Sequence, residues 1–413
     1  MAEAVDRTTA PGLLAGLKVL DVATYVAAPA AATVLSDFGA DVIKVEPVAG
    51  GDPWRAIAAR PGMPETPHNF AWTLEGRNKR SIALDLKQPD GQRVIRCLAA
   101  AADIFITNLP LRVRSALGIA YEQLAPANER LVYASFTAYG ESGMEAGTPG
   151  FDTTAWWARS GLMDRVRADE ESLPPWSVPG MGDHPSAVAI TAAILMALYR
   201  RERTGKGGYV GSSLIANGAW ANAVYIQAAL CGARFPERPE RSRAVSALRN
   251  YYRCADGRWL MLSLSAAQQA TSWPAFARCL DRPDLVSDPR FATPIARREH
   301  AMALIALLDA VFRTRESVDW YCRLADAGLT AALISTMDEV ARDEQMRESG
   351  AFVPMPAAGG AEMTVSSPFW LAGEPKRAAQ PAPALGAHTD EILRASDFSE
   401  AEIARLRAQG VIL

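Results

Sequence analysis

The chain has 413 residues, of which 49% are hydrophobic and 22% charged, enough apolar material for two cored domains or one elaborated one. A net charge of −3 and the lack of any Lys/Arg block argue against a nucleic-acid footprint. The five cysteines (Cys97, Cys231, Cys254, Cys279, Cys322) lie too far apart for a disulfide framework or a C-x-x-C metal clip; most are expected to pack as small buried hydrophobes in a reducing compartment.

The polar N-terminus lacks an apolar signal core, and the most apolar helical stretch, 187–199, is shorter than the ~20 residues of a membrane span. The expected location is the cytoplasm, with neither membrane nor nucleic acid as a partner. Residues 18–22 form an apolar run that predicts a buried strand, followed by a small-residue turn and a helix over 30–38. Gly39 suits the end of that helix, and 41–45 is a second strand, so the segment is a βαβ unit with parallel strands. The alternation recurs: strand 81–86, helix 89–101, strand 103–107, strand 131–137. This pattern predicts an α/β protein with an open sheet of Rossmann type. The turn after the first strand, residues 23–29, carries no G-x-G-x-x-G, which removes the main support for NAD or FAD.

After Gly150 a helical segment over 152–163 carries Trp156 and Trp157. A Pro/Gly-rich loop over 174–185 leads into a long helix, 186–203, stopped by Gly205. A strand is expected over 209–215 and a helix over 217–230. The charged stretch 234–243 contains two prolines and resembles a linker. Residues 250–254 and 258–264 flank Ala255-Asp256-Gly257, a hairpin signal, and helices are expected near 266–280, 299–312 and 316–327. A separate smaller α+β unit is therefore expected. The tail from Gly359 is rich in Pro and Ala until a helix over 400–409 that Ser399 can cap. The resulting division is a large Rossmann-like domain over 1–233, a small α+β domain over 244–335, and a return segment, 336–413, that completes the large domain.

The usual hydrolytic motifs are missing. His68, His184, His300 and His388 include no pair at zinc-ligand spacing, no G-x-S-x-G occurs, and Gly205-Lys206 lacks the rest of a phosphate loop. One site is more informative. Gly180-Met181-Gly182-Asp183-His184-Pro185 joins a flexible loop to the start of the long helix. Free N–H groups and the dipole there favour an ionised carboxylate, and such a carboxylate can attack an activated acyl group. The plain alternative is a helix start, where Asp and Pro are favoured for local reasons.

Several stretches together carry a resemblance: residues 17–21; Phe38-Gly39-Ala40-Asp41-Val42-Ile43-Lys44-Val45-Glu46-Pro47; Gly51-Asp52-Pro53; 78–87; 103–108; Gly182-Asp183; 203–207; and Gly386-Ala387-His388-Thr389-Asp390-Glu391. In this order and spacing the chain resembles the family III (CaiB/BaiF-type) CoA-transferases, along nearly its whole length. The resemblance implies a Rossmann-like large domain built from both chain ends, a smaller domain, and an interlocked homodimer. It implies Asp183 as catalytic nucleophile, with an acyl-CoA donor and a carboxylic acid acceptor as partners. Coenzyme A enters as a thioester substrate, with no permanently bound cofactor and no metal. CoA contacts are implied at Val26 and Ala27, at Leu84, Asp85, Leu86 and Lys87, and at Asn108, Leu109 and Arg114.

The sequence departs from the family where some members carry Gln at Val26 and Arg at Pro47. The basic residue expected after Asn108 falls on Ala116, with Arg112 and Arg114 as nearby substitutes. No glycine occurs over 243–249, where a shielding loop aligns. The family's racemase branch needs a second base where Phe151 stands, and phenylalanine transfers no proton. A CoA-binding protein without catalysis is the other alternative. Trp156, Trp157, Trp176 and Trp220 are candidates for an acyl pocket.

Overall fold

The computed structural model describes residues 12–356 and 361–413. The first strand, β1 (Lys18–Asp21), leads into helix α1 (Ala27–Asp37) and strand β2 (Asp41–Glu46). Helix α2 (Phe70–Gly76), strand β3 (Lys79–Ala83), helix α3 (Pro89–Ala100), strand β4 (Ile104–Thr107), helix α4 (Leu111–Ala116) and strand β5 (Val132–Thr137) follow. The long helix α5 (Asp183–Thr204) precedes strand β6 (Gly208–Ser213) and the short helices α6 (Leu214–Ala221) and α7 (Ala223–Leu230). The six strands form one all-parallel sheet in the order β3-β2-β1-β4-β5-β6. This is the doubly wound Rossmann order, in which the sequence of added strands reverses direction between β1 and β4.

Both faces of the sheet are covered, so the strands are apolar on both sides. Val19, Val42, Ile104, Ile106 and Val132 point into one layer with α1 and α5. Leu20, Ile43, Phe105 and Tyr133 point into the other, against Val94, Ile95 and Leu98 of α3. Every residue of α1 is buried. Its run of alanines lets the helix lie close between sheet and α5, where larger side chains have no room.

The chain end completes this unit. Helices α8 (Thr389–Arg394) and α9 (Glu400–Ala408) place Ile392, Leu393, Ile403 and Leu406 in the second layer. The motif around His388 pins the return to β3. His388 N donates to Ser81 O (3.0 Å), Ser81 N donates to His388 Nδ1 (3.2 Å), and Gly386 N donates to Ser81 Oγ (2.9 Å). Ser399 caps α9 as expected.

The chain divides into two units: one takes in the chain to Arg165, Trp176–Cys231 and Glu344–Leu413, the other Val166–Pro175 and Gly232–Asp343. The second unit thus begins 12 residues before and ends 8 residues after the expected 244–335, taking the start of the expected return segment, and gains a segment from before α5. It is α+β, with strands β7 (Arg249–Arg253), β8 (Trp259–Ser263) and β9 (Ala331–Leu333) in an antiparallel sheet over a core that includes Tyr252, Phe276, Phe312 and Trp320. β9 escapes a sequence reading because three residues carry no period. Two further expectations are corrected. Cys97, Cys231 and Cys322 are exposed and only Cys254 is buried, although all five are free. Trp176 and Trp220 are 82% exposed, whereas Trp156 and Trp157 are core. No helix among the described residues is long and apolar enough to cross a membrane.

Beneath the ends of β1, β2 and β3 lies a buried set of charges. Lys44 Nζ reaches Asp21 Oδ1 (3.3 Å), Asp52 Oδ2 (2.9 Å) and the Ala23 carbonyl (2.5 Å). Lys79 Nζ reaches Asp21 Oδ2 (2.9 Å) and the Pro29 carbonyl (2.7 Å). Glu46 pairs with Arg55 (2.6 Å) and accepts from Ser81 Oγ (2.7 Å) and Asp52 N (3.0 Å). Burial opposes the Asp21 charge, yet Lys44 and Lys79 outweigh it and hold its carboxyl below the usual range. Three carboxylates face three cations, so the set is neutral as a whole but not in any part. Removing one member leaves a buried charge unpaired, which costs about 3–5 kcal/mol. Lys44→Met should therefore lower the urea midpoint markedly, whereas Arg394→Ala, which breaks a surface pair with Glu400, should cost below about 1 kcal/mol.

Candidate active site

Asp183 is the first residue of α5, three residues earlier than the helix start expected from the sequence. The two glycines before it are there for steric reasons. Gly180 has φ +77°, and a Cβ there would sit 2.7 Å from the His184 ring. A Cβ on Gly182 would sit 2.6 Å from the ring of Trp156, which stacks on Trp157. Real Cβ atoms do not approach so closely, so the two rings set the path of the turn that presents Asp183.

Three further side chains hold this turn. Asp152 Oδ2 accepts from Gly182 N (3.1 Å), and its Oδ1 accepts from Thr153 N (2.8 Å). His184 Nε2 lies 2.7 Å from Glu75 Oε1 on α2, and its Nδ1 lies 3.1 Å from the Gly180 carbonyl. Both ring nitrogens face acceptors, so the arrangement is satisfied only when both carry a proton. Burial works against that charge, but Glu75 outweighs it and raises the His184 pKa.

These groups act on Asp183 in opposite senses. Burial pushes its pKa up, Asp152 and Glu75 add to the rise, and His184 opposes it, with the result at about 7. That is a rise of some three units, on the order of 4 kcal/mol. The helix dipole contributes about 0.3–1 kcal/mol, up to ~2 in favourable geometry, so desolvation and the neighbouring carboxylates win.

Asp183 opens into a cavity of about 80 Å³ that Val26, Ala27 and Asn108 also line, with Tyr25, Phe136, Thr137, Ala138, Gly150, Phe151 and Leu214. Leu84, Asp85, Leu86, Lys87 and Leu109 line a second cavity of about 160 Å³, together with Val22 to Thr24, Glu46, Pro47 and Val113. Both lie at the loops after β1 and β4, where the strand order reverses and where open α/β sheets bind ligands. Asn108 ties the two loops together: its Oδ1 accepts from Thr24 N (2.9 Å) and its Nδ2 donates to Thr24 O (2.7 Å). The carboxylate of Asp85 is engaged in its own turn, accepting from Lys87 N and Gln88 Nε2.

Arg114 points elsewhere. Only 2% exposed, it donates to Leu109 O (2.5 Å), Ser135 Oγ (2.6 Å) and Phe136 O (3.4 Å), and lines a third cavity with Tyr121, Glu141 and Tyr209. It braces the loop after β4 from behind. Phe151 stands at the mouth of the Asp183 cavity, its ring edge-on to Tyr25 at 5.5 Å. Sequence reasoning assigned no role to Glu75 or Asp152; nothing local marks a residue such as Glu75, 109 positions from its partner.

Because the fold resists ionising Asp183, stability falls as pH rises from about 4, where the unfolded side chain loses its proton, to about 7, where the folded one does. Asp183→Asn should therefore raise the unfolding temperature relative to wild type at pH 8, by an effect of order a few kcal/mol, and should give little gain at pH 4. Paired melts at the two pH values check this; equal gains at both would contradict the raised pKa.

Residues 14–389 match CoA-transferase family III. The (R)-2-hydroxy-4-methylpentanoate CoA-transferase of Clostridioides difficile is 30% identical over 403 residues, covering 97% of this chain and 99% of that one. The succinyl-CoA:glutarate CoA-transferase of Mus musculus is 28% identical over 401 residues, covering 97% and 90%. The crystal structure of a CaiB/BaiF family protein from Brucella suis superposes with a TM-score of 0.82 at 27% identity, covering 94% and 100%. The chain, with its Rossmann sheet and its aspartate at the head of α5, belongs to CoA-transferase family III.

Proposed function

We propose that this protein moves coenzyme A from an acyl-CoA thioester to a free carboxylic acid, with Asp183 as the covalent nucleophile. The observation that carries this reading is a carboxylate at a helix start, facing a cavity, with a pKa pushed up to about 7. A poorly solvated carboxylate is a better nucleophile than one in water, and half of it is ionised near neutrality.

The steps need no external acid, base or oxidant. Asp183 attacks the donor's thioester carbonyl and expels CoA thiolate, forming an aspartyl–acyl anhydride. The thiolate attacks the aspartyl carbonyl, releasing the donor acid and leaving an aspartyl-CoA thioester. The acceptor carboxylate attacks that thioester, again expelling thiolate and forming a second anhydride. The thiolate then takes the new acyl group and frees Asp183. Each step exchanges one activated acyl bond for another. The residues lining the second cavity, Leu84 to Lys87 with Leu109, are the proposed CoA contacts, continuing from Val26 and Ala27 beside Asp183. Arg114, buried behind the loop, supports this surface rather than touching CoA. A racemase reading lacks its second base: Phe151 lines the cavity, and both His184 nitrogens are engaged.

The reading includes an interlocked homodimer. In its support, Trp220, Val224 and Leu230 on α6 and α7 are more than three-quarters exposed, a concentration of apolar surface unusual for a lone chain. Sedimentation equilibrium should return twice the chain mass.

Intact-mass analysis after incubation with acyl-CoA and hydroxylamine should find a hydroxamate on Asp183 and none in Asp183→Ala. No adduct with any donor, alongside exchange of the donor's α-proton with solvent, would sink the transferase reading. The rate of adduct formation should rise with pH through a midpoint near 7, rather than near the 3.9 of an ordinary aspartate.

A further inference from the structure

We infer that the cavity beside Asp183 selects the uncharged, apolar acyl group of a monocarboxylic acid and discriminates against acids carrying a second carboxylate. This rests on the transferase reading and deepens it. Tyr25, Val26, Phe136, Ala138, Phe151 and Leu214 give the walls their apolar surface; of the polar residues beside Asp183, Asn108 is engaged through its amide with Thr24, and Thr137 Oγ1 accepts from Gly140 N. Among the described residues, neither lysine nor arginine lines the cavity.

The charges around Asp183 are of the wrong sign for a dicarboxylate. Asp152 and Glu75 both act on Asp183 as like charges, and both are buried. The nearby cation, His184, is committed through both nitrogens to Glu75 and the Gly180 carbonyl. Turning it toward a ligand would leave the Glu75 carboxylate, 3% exposed at its side chain, without that partner.

Butyryl-CoA and succinyl-CoA make a matched test, since both acyl groups have four carbons and differ in a terminal methyl against a carboxylate. The second-order rate of hydroxylamine-trapped adduct formation at Asp183 should be at least about 100-fold higher with butyryl-CoA. Phe151→Arg places a guanidinium at the exposed mouth, where it can meet a carboxylate in bidentate fashion. It should shrink the preference at least about 10-fold, and Ala138→Arg, at a partly exposed position of the same cavity, provides the same readout should the first variant fail to fold. Equal rates in the wild type, or faster labelling by succinyl-CoA, would overturn the inference while leaving Asp183 as nucleophile. A preference that survives both arginine variants unchanged would place its origin outside this cavity and overturn it too. Failure of every acyl-CoA to label Asp183 would remove the transferase reading itself.

Discussion

The buried charges under β1, β2 and β3 are the constraint from which the site follows. A Rossmann crossover needs its first loop to leave the sheet and turn at once into a helix, without the glycines that usually make this easy. Here Lys44 and Lys79 bind the Ala23 and Pro29 carbonyls from below, one before α1 and one within it. Asp52 accepts from Tyr25 N (3.1 Å), which holds Tyr25 at φ +64°, a left-handed conformation uncommon for a bulky residue. The turn that a dinucleotide-binding protein makes with glycines is made here with ion pairs and a tyrosine under restraint. The same Lys44 is fixed by two carboxylates on different segments, so the loop, the 52–55 turn and the second strand stand or fall together.

Asp183 depends on this frame at one remove. Val26 and Ala27, set by the loop, form one wall of its cavity, and Asn108 joins that loop to the end of β4. On the other side, the turn that presents Asp183 packs at Gly182 against Trp156, which stacks on Trp157. A carboxylate at a helix start would ordinarily be stabilised as an anion. Here Asp152 holds Gly182 in place, and the same charge also presses on the Asp183 carboxylate. Positioning and pKa tuning are thus one interaction, and neither can be altered alone.

Much of this was legible in the sequence. The strands β1, β2, β4 and β5 read as short buried strands between turn residues, and their alternation with helices pointed to a parallel sheet of Rossmann type, though not to the order of its strands. Gly182-Asp183 marked the candidate site through its resemblance, with the glycines as the local sign. The illegible parts share a physical cause. The partners of His184 and Gly182 lie far away in the chain, and a carboxylate such as Glu75 looks like any solvated glutamate until the fold buries it. Arg114 reads as a basic residue near a CoA turn, but a side chain's direction is set by packing and not by position along the chain; Ser135 and two carbonyls claim it. The tryptophans mislead for a related reason: two are packed in the core, one of them against the Gly182 turn, and the other two remain on the surface.

The family departures at Val26 and Pro47 belong to the same account. Both positions face cavities at the crossover, Val26 toward Asp183 and Pro47 toward the Leu84–Lys87 wall. Polar side chains at those points would bring hydrogen-bonding groups beside Asp183 and beside the buried Glu46–Arg55 pair. With valine and proline instead, both cavities are apolar where they meet the loop. Burial of Asp183 is the largest contribution to its raised pKa, and an apolar neighbour at Val26 preserves that burial where a glutamine would donate to the carboxylate and lower it. The residues that set this chain apart from some of its family are, in physical terms, the ones that keep Asp183 away from further hydrogen-bond donors.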